Sequence, residues 1–407
     1  MRGRLVALVT TLVALLTGPA CKKREAPLAA DAGGGSPAAT VAPPPRLDGP
    51  FAATSTSRGE PVVVASGPES LGLASFDAAG KPSVRALRVP QGAPPFTGAS
   101  SAFSFADGRM LLVVTDAKGA AFGAVAAVDG TLGAFSPVGV ESCATSDTFF
   151  FVERSAHAVY AWASSAAAPA PVSTGAVREG TTLLCGKRAA FAFVPLARGL
   201  AVMVVAAGAA ARRVELAKAL DPASAGDFAA YVTDDRAGIV YAGEGDLLHA
   251  ADVDSAGAVT DRAFKRKLGP TESVVGADLS GGDVVALVQH EEKGRCGDEE
   301  TPPAYTAVDL VRERVFALPK ITCDVESSPP VLELAAGKLV ARWFESKDDG
   351  HEKRLRQWAI AVGETNERAA AITAVSVPDS ASLLDCDARC LAVARDGGSF
   401  RVIATLP

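Results

Sequence analysis

The chain has 407 residues, 48% of them hydrophobic and only 6% aromatic, with a formal net charge of −6. That length can bury a large core, filled mainly by alanine and valine, and the acidic balance excludes a nucleic-acid binder, whose phosphates demand Lys and Arg. The only dense basic runs are Cys21–Arg24 and Lys353–Arg356.

Met1–Ala20 reads as a signal peptide: Arg2 and Arg4 form the charged start, Leu5–Leu16 is an apolar run too short to span a bilayer well, and small residues follow. Removing Arg2 and Arg4 takes the net charge to about −8. The segment Leu16-Thr17-Gly18-Pro19-Ala20-Cys21 resembles a bacterial lipoprotein cleavage box, with Gly18 where that family favours Leu. The resemblance implies that Cys21 becomes the lipidated first residue, and that the membrane is met through this anchor alone. Lys22 stands where an aspartate would retain the protein in the inner membrane, so the resemblance implies an outer-membrane lipoprotein facing the periplasm or the cell surface. An ordinary secreted protein and a retained anchor are the alternatives. Residues 21–50 are rich in Ala, Gly and Pro, as in Gly33–Pro37 and Pro43–Pro45, and bury too little apolar surface to order themselves. A disordered tether with a stiffer Pro-rich end is expected there.

From residue 51 to 407 one pattern recurs. It is clearest in Asp107–Val138, where Gly108, the Asp116–Gly119 corner and Asp129-Gly130 punctuate short strands around Leu111–Val114. Eight apolar runs follow turn signals: Val62–Ala65, Met110–Val114, Phe149–Val152, Ala189–Phe193, Gly238–Tyr241, Val284–Val288, Leu339–Phe344 and Cys390–Ala394. Their starts are roughly 40–55 residues apart, the range of four-stranded propeller blades. A short strand precedes most of them, as in Ala102–Ala106, Ser142–Ser146 or Val274–Leu279, and two further strands follow. The spacing predicts an all-β fold: a single β-propeller of four-stranded antiparallel blades, eight in number, with seven as the alternative. A pair of β-sandwiches is the competing architecture. The last unit is one strand short, and a strand near Arg46–Ala53 is expected to complete it and close the ring. Ala189–Ala211 is apolar enough to suggest a membrane span, but Pro195, Arg198 and Gly199 divide it into two strands.

Without Cys21 six cysteines remain, an even number that implies disulfides in an exported chain. In the propeller register Cys143 and Cys185 take nearly equivalent innermost-strand positions of neighbouring blades. Cys296 and Cys323 fall in loops on one face, and Cys386 and Cys390 staple one hairpin. The two-residue spacing of zinc and thioredoxin-like sites is absent, so no metal site is expected.

No catalytic residue is assigned: the chain has no Gly-x-Ser-x-Gly elbow, no His-Glu-x-x-His, no phosphate loop and no strand-linked Gly-x-Gly-x-x-Gly. His157 and His249 sit in apolar surroundings and read as ordinary structural residues, and the inner strands offer few acids or histidines. His290, Glu291, Glu292, Asp298, Glu299 and Glu300 fall in an inserted loop of about 14 residues closed by Thr301-Pro302-Pro303. Asp348 and Asp349 occupy the equivalent loop of the next blade. Long charged loops on a repeat scaffold commonly carry function, so these eight residues are the candidate partner-binding edge for a basic surface of another envelope protein. Solvated decoration is the bland alternative. Ala307–Phe316 loosely resembles the quinoprotein-type repeat Ala-x-Asp-x-x-Thr-Gly-x-x-x-Trp at Ala307 and Asp309, without its Thr-Gly pair or tryptophan, so no cofactor is expected. The anchor, tether and ring are together similar to a propeller lipoprotein of the outer-membrane β-barrel assembly machinery. The function expected is a non-catalytic binding or scaffold module, with a degenerate propeller enzyme or a metal- or carbohydrate-binding propeller as alternatives.

Overall fold

The computed structural model describes residues 51–406 apart from 56–60, 67–69, 77–80, 140, 175–176, 198, 207–209, 218–227, 293–294, 297–298, 324, 336, 348–352, 367–369, 379–380, 384–389 and 397–398. The signal peptide, Cys21 and the tether lie outside the described residues. So do Asp298, Asp348, Asp349 and Cys386.

The described strands form eight antiparallel sheets in chain order, plus one two-stranded hairpin, Arg295–Cys296 with Glu299–Glu300. These sheets are the blades of a β-propeller. Their innermost strands are Phe51–Ser55, Gly98–Ser104, Ser142–Ala144, Thr182–Cys185, Phe228–Val232, Glu272–Ser280, Val331–Ala335 and Ser382–Leu383, in blades 1 to 8. The second strand of every blade coincides with one of the eight apolar runs. The reason is burial: Leu111, Leu112 and Val114 in blade 2, and Phe191 and Ala192 in blade 4, are each 0% exposed, because a propeller blade is covered by a neighbour on both faces. Outer strands alternate instead, as in Val259–Lys267 of blade 5. Ala189–Pro195 and Leu200–Ala206 pair as a hairpin within blade 4, and among the described residues no helix is long and apolar enough to cross a membrane.

The core lies between the blades. Phe191, Val202, Ile239 and Val253 fill the interface of blades 4 and 5, and Val285, Leu287, Leu339 and Trp358 that of blades 6 and 7. Blade 8 packs back on blade 1 through Val393 and Phe400 against Val63, Ala65 and Ala74, with the rings of Phe51 and Phe400 5.2 Å apart, which closes the circle. The expected closing strand is corrected here. Phe51–Ser55 pairs with Pro61–Ser66 inside blade 1, and blade 8 has three described strands. Among the described residues the seam between first and last blades is made by side chains and not by a shared sheet. The run Phe51-Ala52-Ala53-Thr54-Ser55 is a weak strand by composition, but it is the innermost strand that blade 1 lacks.

Candidate functional site at the channel mouth

In every blade the chain runs up the innermost strand and turns back into the second. These first turns gather on one face. They are joined there by main-chain hydrogen bonds from blade to blade: Ala106 N–H to Ser146 C=O (2.7 Å), Ser146 N–H to Lys187 C=O (3.3 Å), and Lys187 N–H to Asp234 C=O (2.8 Å). Gly186 permits the last of these approaches, since a Cβ there would lie 2.4 Å from the Thr233 carbonyl oxygen. The disulfide Cys143–Cys185 spans the same two blades as the second bond, with Cα atoms 5.6 Å apart, as the sequence register predicts.

This face opens into a cavity of about 1090 Å³. Its wall is built from the ends of the innermost strands of blades 3 to 7 and from the outer part of blade 5. The charged lining residues are Lys187, Asp234, Asp235, Arg236, Asp252, Arg262, Asp278 and Glu333. The inner strands offer few acids, as expected, but Asp278 and Glu333 are among them and line the mouth, with Asp234 and Asp235 on an adjoining turn.

Most of these groups are held by partners. Lys187 Nζ is 2.7 Å from Asp234 Oδ2, an exposed pair worth little by itself. Asp252 is 2% exposed and meets Arg236 Nη2 at 2.7 Å. Burial pushes its pKa up, and the Arg236 and Arg262 charges oppose that rise. Asp278 accepts the Leu279 N–H at 2.8 Å and, from blade 7, the Leu334 N–H at 2.6 Å, so it fastens two blades. Burial raises its pKa as well, against these two hydrogen bonds. Glu333 faces Arg342, which is 5% exposed and donates from Nε to Gln357 Oε1 at 2.7 Å. Burial lowers the Arg342 pKa to about 10, which leaves it charged at neutral pH. Tyr231 is 3% exposed, its phenol pKa is raised by burial, and its hydroxyl has no hydrogen-bond partner.

The acidic loops predicted as a partner edge arise from turns between second and third strands, on the face opposite this mouth. His290 is the last residue of the second strand of blade 6 and not part of the loop; its Nδ1 lies 3.1 Å from Glu272 and its Nε2 2.9 Å from Thr306 Oγ1. Glu291 is exposed, Glu292 pairs with Lys320 at 2.9 Å, and Glu299 and Glu300 form one strand of the small hairpin. Cys296 stands on the other strand of that hairpin, and Cys323 is disulfide-bonded. Cys390 opens the second strand of blade 8. His157 and His249 are structural, as expected: His157 Nδ1 lies 3.2 Å from the Val177 carbonyl oxygen, and His249 packs on Tyr241 with Nδ1 3.3 Å from Asp261. Among the described residues no group of His, Cys, Asp and Glu has the geometry of a metal site.

No protein-family model matches the chain, and no curated protein matches it. Similar solved structures include a prolyl endopeptidase (12% identity, TM-score 0.51, covering 86% of this chain). The chain spans 55% of that enzyme's length. Others are an oligogalacturonate lyase in complex with manganese (12% identity, TM-score 0.45, covering 88% of this chain and 96% of the lyase) and the β-propeller domain of the Trilobed protease from Pyrococcus furiosus (8% identity, TM-score 0.42, covering 79% and 98%). At such identities the first of these likenesses speaks for the fold alone.

Proposed function

We propose that this chain is an exported, lipid-anchored β-propeller that binds a partner of the cell envelope at its channel mouth and carries out no reaction of its own. The observation that carries this reading is the engagement of four of the five carboxylates that line the mouth. Asp234, Asp252 and Glu333 face bases, and Asp278 is taken up by two main-chain N–H groups. A general acid or base must be free to exchange a proton with substrate, whereas here the charges hold blades and turns in place. Fixed polar groups around a wide, preformed opening suit recognition. The Cys143–Cys185 disulfide supports an oxidising, extracytoplasmic setting, and the resemblance of Leu16–Cys21 to a lipoprotein cleavage box supports attachment to the envelope.

The acidic rim on the opposite face, with exposed Glu291 and the Glu299-Glu300 hairpin, is the second surface considered. A photo-crosslinking amino acid placed at Ser146 or Ser280 samples the mouth, and one at Glu291 samples the rim. Crosslinks to one defined species from the mouth positions in intact cells are the expected result. Crosslinks from Glu291 alone would move the site to the rim, and none from either face would end the binding-module reading. Fractionation of a Cys21→Ser variant tests the anchor: it is expected to leave the membrane.

A further inference from the structure

Buried polar atoms normally have hydrogen-bond partners. Among the buried side-chain atoms without one are Tyr231 Oη, Arg236 Nε and Arg262 Nε, whose residues line the same cavity beside Asp278 of blade 6. They come from three different strands of blade 5. Tyr231 rises from the innermost strand and lies flat on Gly238, where a Cβ would come within 2.5 Å of the hydroxyl. Arg236 opens the second strand, and Arg262 reaches over from the outermost one. Asp252 lies between the two arginines, and Asp278 enters from blade 6. Arg262 has no carboxylate within ion-pair distance among the described residues; its nearest acceptor is the Gly282 carbonyl oxygen at 3.5 Å. Each such buried group, left unmet, is a cost to the fold. Several of them in one water-facing cavity mark a place built to be completed from outside.

The charges indicate what completes it. Within the cleft itself two arginines stand against two aspartates, so the charges nearest the unmet atoms balance one another. What remains unmet is two N–H donors and one hydroxyl able to donate or accept, rimmed by the hydroxyls of Thr260 and Ser280. Sugar hydroxyls donate and accept with the same oxygen and lie side by side on one ring, which matches donors and acceptors interleaved at close quarters.

We propose that the cleft of Tyr231, Arg236, Asp252, Arg262 and Asp278 is a binding site for an uncharged saccharide. This deepens the binding-module reading and rests on it. The full chain would be applied to immobilised neutral, acidic and amino-substituted oligosaccharides, and positives titrated by calorimetry. Neutral oligosaccharides are expected to bind and the charged ones not. Tyr231→Phe and Arg262→Gln should each weaken binding by about tenfold, the loss of one hydrogen bond to a buried partner. Tyr231→Phe should melt no lower than the parent, since it removes a hydroxyl that nothing in the fold engages. A cell-wall glycan and a soluble sugar share this chemistry; sedimentation with insoluble peptidoglycan sacculi separates the two. The proposal is overturned if no neutral oligosaccharide binds at millimolar concentration, if charged glycans are preferred, or if both variants bind like the parent, in which case the cleft holds ordered water only. Crosslinks from Ser146 or Ser280 that persist without any glycan binding would sink the saccharide while leaving the binding module standing; loss of both would sink both.

Discussion

Replacing Cys143 and Cys185 together by alanine removes a covalent link between neighbouring blades 3 and 4. The bridge closes a sequence separation of 42 residues. Loop closure of that size in the unfolded chain corresponds to about 4 kcal/mol at room temperature. The sulfurs also pack at the edge of the cluster formed by Phe150, Val152, Leu183 and Ala190, so a small loss of contact adds to this figure. At about 2 cal/mol/K of unfolding entropy per residue, a propeller of this size should melt about 5 °C lower. The assay is a thermal melt followed by far-ultraviolet circular dichroism, with urea midpoints as the check on cooperativity. Two results would refute the reasoning. One is a variant that melts within a degree of the parent, which would mean that blades 3 and 4 are held together as well without the bridge. The other is a peptide map under non-reducing conditions that finds either cysteine free, which would overturn the register of the innermost strands.

Gly186→Ala should lower stability by about 2–3 kcal/mol, because the added methyl collides with the Thr233 and Asp234 carbonyls and parts the Lys187 N–H from its acceptor; hydrogen exchange at the Lys187 amide would report the break. Asp278→Asn should cost about 1–3 kcal/mol, because an amide N–H replaces one of the two oxygens that accept main-chain N–H groups. The gap depends on pH. The folded pKa of Asp278 lies above its ordinary value of 3.8, so the native state holds the proton more tightly, and the parent loses stability as pH rises from 3.8 through the folded pKa. The gap between parent and variant should therefore be widest in acid and narrow above that window. A gap that widens with pH would show the aspartate to be stabilised as its anion.

The ring was legible in the sequence because its strongest constraint is local. A strand covered on both faces needs a continuous apolar run, and Met110–Val114 or Val284–Val288 can be read as one without reference to anything distant. The Cys143–Cys185 bridge was legible for a related reason: two cysteines at the same place in consecutive repeats become neighbours once the repeats are stacked. The mouth was not legible. Asp252 sits in Leu247–Asp254, a segment that looks like any buried third strand, and Arg262 lies in an alternating outer strand. Nothing in their spacing joins them to Tyr231 or Asp278. The closing strand was misplaced because Phe51–Ser55 has no strong strand signature, and because an incomplete last repeat suggests that the N-terminus supplies the missing piece. The structure fills the innermost place in blade 1 instead.

That arrangement has a mechanical meaning. From blade 2 to blade 5 the circle is laced by main-chain bonds and a covalent bridge, while blades 8 and 1 meet through Phe51, Phe400, Val63 and Val393. Tension arriving from the N-terminal side therefore enters the molecule at a joint whose described contacts are side-chain contacts. A pull on Phe51 loads its five residue pairs with Pro61–Ser66 and that apolar seam, and it passes to blade 2 through the main-chain bonds that join Arg88 to Gly130 and Leu132.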